Sequence, residues 1–269
     1  MDGDRPGMRY TAPIMAILPL HDDTPLRRIR RAYVCMSMIT VCVMVFIYEL
    51  TLSGAEIENF ILAFGAIPRV LLGGAHLDPG IKVIPGWATL FSSMFVHGGF
   101  MHLAGNMLFL WVLGDNIEDA MGHSRFVRFY LLCGVTAALA HAGTDIWSEA
   151  PMVGASGAIS GVIGAYLVLH PRAPIRTLVW YFIIWLPAWL VLGFWIGFQF
   201  LSAALAAGGL MGADGGGLAW WAHIAGFFTG AILIVFMRDK EVPLFDKGYT
   251  RVDHRVLVTK PRSKKQRHR

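Results

Sequence analysis

The chain has 269 residues, 55% of them hydrophobic and only 15% charged, with a mean hydropathy of +0.54. Soluble domains carry about 25% charge, so this composition excludes an ordinary soluble globule and indicates a helical protein with several membrane spans. The net charge of +5 does not indicate a nucleic-acid partner, because the basic residues flank apolar runs or crowd the C-terminus, where they suit topology and anionic lipid. In chain order, the short run Thr11–Leu20 is broken by Pro13 and Pro19 and does not read as a cleavable signal peptide. The first span is expected at about Ala32–Leu52, directly after Arg27, Arg28, Arg30 and Arg31. The connection from Thr51 to His97 is too long for a turn; its apolar stretches, such as Phe60–Leu72, are too short to span. It reads as a partly embedded loop, tolerable only where protein or water satisfies its backbone.

The second and third spans are expected at about Gly98–Ile117 and Phe126–Ile146. The fourth, about Ala155–His170, is short, and the fifth, about Leu178–Ala207, is long and carries Pro187 as an expected kink. A Gly-rich connection, Ala207–Gly217, leads to Trp220 and Trp221 at the outer interface and to a sixth span of about Leu218–Met237. Cys35, Cys42 and Cys133 all lie in apolar runs without ligand spacing and read as small buried hydrophobes, so neither metal nor other cofactor is expected. The expected fold class is therefore an all-α membrane protein with six transmembrane helices. Residues 1–31 form an N-terminal tail, residues 32–237 the six-span domain and residues 238–269 a basic C-terminal tail suited to disorder at a membrane surface. Arginines and lysines crowd both tails, Arg125 and Arg128 lie in the second-to-third connection, and Arg172 and Arg176 in the fourth-to-fifth. Both termini are thus expected in the cytosol.

Polar groups in hydrocarbon are expensive, so those inside the spans are functional candidates. At 1.5 Å per residue Ser156 lies about 24 Å above Arg172, His223 about 22 Å above Arg238, and His102 about 24 Å from Glu118. Three polar side chains from three helices thus arrive at one level, with Asn106 one turn deeper on the face of His102. The short fourth span starts below the outer surface and puts Ser156 in its first turn, where free N–H groups favour developing negative charge. Such a site suits an attacking hydroxyl. His223 is the candidate base, and the Ser156 backbone N–H with the His102 and Asn106 side chains are candidate oxyanion donors. Taken singly, Ser156 also suits helix packing, and His223 an interhelical bond. Ala222, Gly226 and Gly230 form a small-residue stripe that brings the sixth span close to Gly157, Gly161 and Gly164 of the fourth.

Phe95-Val96-His97-Gly98-Gly99-Phe100-Met101-His102-Leu103-Ala104-Gly105-Asn106, then Gly154-Ala155-Ser156-Gly157, then Ala222-His223-Ile224-Ala225-Gly226 resemble the three signatures of the rhomboid family of intramembrane serine proteases. The resemblance covers about Phe91 to Gly230. It implies a rhomboid-like bundle of bacterial cytoplasmic-membrane type in which a Ser–His dyad, Ser156 nucleophile and His223 base, cleaves membrane-anchored proteins in or near their transmembrane segment. By the same carry-over, His102 and Asn106 help hold the oxyanion and His97 is structural. Asp115, Glu118 and Asp119 resemble the family's pattern at the inner end of the second span and are expected to be solvated interfacial charges with some structural bonding and no chemistry. Two departures stand out: the Trp-Arg dipeptide of some members' first loop is absent, and Ser160 stands where some members stack an aromatic ring on the histidine. Either the imidazole is oriented otherwise or Ser160 bonds back to its own helix.

Two other classes compete. A catalytically silent rhomboid-like protein binding membrane clients would usually lack the serine or the histidine, and this chain keeps both. A transporter or channel would carry ionisable groups along a path through the bilayer, which spans four to six lack. The fifth span and the Gly-rich connection are candidate moving parts for substrate admission. Substrate identity and oligomeric state are not legible.

Overall fold

A computed structural model of the protein describes residues 17–208 and 220–246. Its principal helices are α1 (Tyr33–Glu49), α5 (Phe100–Met121), α6 (His123–Thr144), α7 (Ser156–Leu169), α8 (Ala188–Ala207) and α9 (Trp220–Met237). Short helices α2 (Gly54–Phe64), α3 (Pro68–Leu71) and α4 (Thr89–Ser92) occupy the long first connection. Among the described residues, α6, α8 and α9 are long and apolar enough to cross a membrane, and α1 and α7 are shorter apolar helices. The assembly is a multi-pass membrane bundle. Its periphery exposes large apolar side chains such as Met44, Phe194, Leu201 and Phe236, as a lipid-facing surface does.

The centre of the bundle is α7, whose residues Gly157 through Tyr166 are all buried. It packs on α5, α6 and most closely on α9. A methyl group added at Gly226 would overlap the carbonyl oxygen of Gly157, and one at Gly230 that of Gly161. The small-residue stripes therefore set a backbone-to-backbone approach that any larger side chain would prevent. The reversal between α5 and α6 is made at Gly122, whose φ of 79° lies in the left-handed region.

The structure departs from the sequence reading at the fifth span. Residues Leu178–Pro187 are not helical: β2 (Pro174–Val179) and β3 (Phe182–Pro187) form an antiparallel hairpin, and β1 (Ile17–Asp22) adds to β2 to give a sheet of order β1-β2-β3. Thr177, Val179, Ile183 and Ile184 suit a strand at least as well as a helix, and continuous apolar runs do not distinguish the two. Pro187 is accordingly not a kink; with φ −66° and ψ 144° it is the extended residue from which α8 starts. The expected Gly-rich connection falls almost wholly in residues 209–219, and most of the basic C-terminal tail in residues 247–269, outside the described part.

A second correction concerns the acidic residues at the C-terminal end of α5. Glu118 is fully buried rather than solvated. Its carboxylate accepts the N–H groups of Val34 and Cys35 at 3.0 and 2.8 Å, satisfying free donors in the first turn of α1, and it also bonds His123. Asp119 accepts the backbone N–H groups of Arg27, Arg28 and Ile29 at 3.0, 2.7 and 2.8 Å. Arg28 reaches on to Asp239 at 2.6 Å and Glu241 at 2.9 Å. Residues 17–31 are thereby tied to the end of the bundle remote from Ser156, as the sheet also requires.

Candidate active site

The site is built from the start of α7. The segment before it is held by the long first connection: Ala66 and Met152 exchange two backbone hydrogen bonds of 2.9 Å, and the Gly154 N–H donates to Ser93 O at 2.8 Å. Gly154 has φ 117°, a conformation that favours glycine. A Cβ there would lie 2.6 Å from the His102 ring and 3.6 Å from the Asn106 amide nitrogen. The backbone just ahead of Ser156 thus faces both α5 side chains named as oxyanion donors. Asn106 is buried, and its Nδ2 has no partner among the described residues. A buried amide donor left open costs about 1–3 kcal/mol unless something accepts from it. His102 is exposed on the outer side of Asn106, and the His97 ring meets it edge-on at 5.3 Å. The His97 N–H donates to the buried Glu49 and its Nδ1 lies 3.2 Å from Phe95 O, bonds that fix the turn into α5.

Ser156 Oγ and His223 Nε2 stand 2.8 Å apart. This contact joins α7 to α9 at the level where Gly157 and Gly226 touch, so the close helix packing is what brings hydroxyl to imidazole. On its other side, His223 Nδ1 lies 2.8 Å from Gln199 Oε1 of α8. The Trp195 ring, one turn earlier on α8, lies 5.7 Å from the imidazole at 43°. The departure at Ser160 is resolved: its Oγ donates back to Ser156 O at 2.6 Å, and the aromatic neighbour of His223 comes from α8 instead. Neither Trp195 nor Gln199 was singled out by sequence. The signal for Gln199 was a lone amide in an otherwise apolar helix.

All four residues expected at the site, Ser156, His223, His102 and Asn106, are therefore brought to the same region. An alcohol in contact with an unsubstituted imidazole nitrogen, beside open N–H donors at a helix start, can transfer its proton on attack and shelter an anion. Residues 85–240, more than half of the chain, match the Rhomboid domain.

The chain belongs to the rhomboid family.

Three relatives illustrate the range of similarity. This rhomboid is 34% identical over 124 residues to the rhomboid protease GluP of Bacillus subtilis, covering 46% of the chain and 22% of that protein. It is 40% identical over 110 residues to RHOMBOID-like protein 5 of Arabidopsis thaliana, covering 41% of the chain and 35% of the relative. It is 31% identical over 113 residues to the rhomboid protease AarA of Providencia stuartii, covering 37% and 40%. The chain thus spans well under half the length of these relatives. The matched Rhomboid domain, residues 85–240, contains His102, Asn106, Ser156 and His223.

Proposed function

We propose that this rhomboid is an intramembrane serine endopeptidase that cleaves membrane-anchored proteins in or near their transmembrane segment. The observation that carries the reading is the 2.8 Å contact between Ser156 Oγ and His223 Nε2 across α7 and α9. His223 Nε2 takes the hydroxyl proton as Oγ bonds to the scissile carbonyl carbon. The carbonyl oxygen becomes an oxyanion held by the Ser156 N–H, Asn106 Nδ2 and His102. On collapse the amide C–N bond breaks and His223 returns the proton to the leaving nitrogen. Water then attacks the acyl-Ser156 ester, again giving a proton to His223; on collapse the C–Oγ bond breaks, His223 returns that proton to Ser156 Oγ, and the carboxylic acid product is released. No carboxylate touches His223 among the described residues, so the imidazolium formed at each step is balanced by dipoles alone, and turnover slower than that of soluble triad enzymes is expected.

The finer architecture belongs to the same proposal. Six spans cross a bacterial cytoplasmic membrane, with α1, α5, α6, α7, α8 and α9 as the crossings and both termini in the cytosol. The loop of residues 51–97 is partly embedded in the outer leaflet, where its bonds to Met152 and Gly154 support the wall of a water-filled cavity. The protease domain occupies residues 32–237 between two cytosolic tails. A catalytically silent client-binding rhomboid is the competing reading, and it gives no reason for serine and histidine to be kept in contact. A fluorophosphonate probe separates the two: labelling of the wild type that is lost in Ser156→Ala, with an unchanged melting curve, is the expected result. Wild-type protein that resists the probe under conditions where it is folded would reject the protease.

A further inference from the structure

The proposed base needs one particular tautomer. A neutral imidazole carries a single N–H, and Nε2 accepts the Ser156 proton only if that hydrogen is on Nδ1. With the hydrogen on Nε2 instead, the same 2.8 Å contact would donate to Oγ and leave the hydroxyl without a base. In triad enzymes a buried acid selects the tautomer. The group in that place here is Gln199 Oε1, 2.8 Å from Nδ1. Gln199 and His223 are 5% and 8% exposed, so water does not compete effectively for the bond. A carboxylate in so apolar a setting would carry a large desolvation cost, whereas an amide oxygen orients the ring without adding charge.

Resting on the protease reading, we propose that Gln199 is a positioning residue for the reaction: by accepting the Nδ1–H of His223 it holds the imidazole with its Nε2 lone pair facing Ser156. Trp195, four residues earlier on the same face of α8, covers the ring and limits its rotation. The dyad of α7 and α9 is therefore completed by a third helix. The site is fully assembled only when α8 lies against α9. Ser202, buried one turn after Gln199, belongs to the same polar stripe of α8.

Two variants test this. Gln199→Met keeps length and burial but offers only a weak thioether acceptor, whereas Gln199→Glu keeps an oxygen in place whether or not it is ionised. In full-length protein in lipid vesicles with 15N-labelled histidine, the His223 signals (assigned by their loss in His223→Ala) should show hydrogen on Nδ1 in the wild type. Gln199→Met should lose that preference and Gln199→Glu should keep it. With a membrane-tethered reporter substrate, Gln199→Met should lower kcat about tenfold with KM unchanged, the equivalent of one hydrogen bond, and Gln199→Glu should recover most of the loss. A wild-type ring carrying its hydrogen on Nε2 would overturn the proposal, as would full kcat in Gln199→Met or equal impairment in both variants. Failure of the fluorophosphonate probe to label wild type would reject the protease reading separately, while the tautomer measurement still decides what Gln199 does to His223.

Discussion

At the residue scale, the site is defined by which polar atoms are already partnered and which are left open. Ser156 Oγ, His223 and Gln199 form a continuous chain of two 2.8 Å contacts, whereas Asn106 Nδ2 is buried without an acceptor. An open, buried donor beside a nucleophile is what transition-state stabilisation requires, because its bond is made only when charge develops. Asn106→Leu should therefore lower kcat by about a hundredfold, the lower end of what loss of one oxyanion donor costs, while leaving the folded protein at least as stable, since it removes an unsatisfied group. Paired kinetics and thermal melts check both halves. A kcat within twofold of wild type would exclude Asn106 from the oxyanion site. Ser160 makes the complementary point. Its hydroxyl is spent on Ser156 O within the same helix, so it offers nothing to the imidazole.

At the scale of elements, the α7–α9 contact governs everything at the site. The glycines remove the side chains that would hold these backbones apart, and the 2.8 Å dyad contact follows from that approach. Gly226→Val would put a Cβ 2.1 Å from Gly157 O, forcing the two helices apart, and overpacking of this kind costs about 1–3 kcal/mol. Both melting temperature and fluorophosphonate labelling should fall in this variant. Gly193→Ala, on α8 where a Cβ meets nothing within 4 Å, should change neither. Retained labelling in Gly226→Val would mean that the dyad does not depend on this packing. The helix α8 stands apart from that pair in being less buried than α9. It nonetheless supplies Trp195 and Gln199, so a peripheral helix carries the groups that orient the base.

At the scale of the whole molecule, chemistry and anchoring are segregated to opposite ends of α7. At its far end Asp22 of β1 accepts hydrogen bonds from Asn116 Nδ2 at 2.8 Å and Tyr166 OH at 2.7 Å, and Thr24 stands 3.2 Å from the same tyrosine. Burial raises the Asp22 carboxyl above its ordinary range, and the hydrogen bonds from Tyr166 and Thr24 only partly offset it. The folded state therefore holds that proton more tightly than the unfolded chain. Its contribution to stability is present at low pH and is lost as pH rises from the ordinary carboxylate range through the raised value. Asp22→Asn, which keeps an acceptor oxygen, should flatten the dependence of melting temperature on pH across that window. An unchanged profile would show that Asp22 does not titrate there. Dyad chemistry lies at the other end of α7 and should respond little to this substitution.

Much of this was legible in the chain itself. Apolar runs and flanking arginines gave five of the six principal helices to within a few residues, and the spacing of His102, Ser156 and His223 put them at one depth with Asn106 a turn deeper, because helical rise converts sequence number directly into height. Residues 178–187 were misread as helix because an apolar run has no period to distinguish strand from helix; β3 pairs with its neighbour β2, and β1, which completes the sheet on the other edge of β2, is more than 150 residues away in sequence. Glu118 looked like a surface charge because nothing in its neighbourhood of sequence reveals that the first turn of α1 rests on it. Gln199 had no motif around it. Its meaning comes from where α8 lies against α9, a relation between helices that periodicity along either one does not contain. Sequence by itself thus determined the class of protein, most of its principal helices and the two side chains that meet at the candidate site, since those depend on hydropathy and spacing. Tertiary structure alone decided the sheet, the buried carboxylates and the helix that steadies the imidazole, since each depends on contacts between segments remote in the chain.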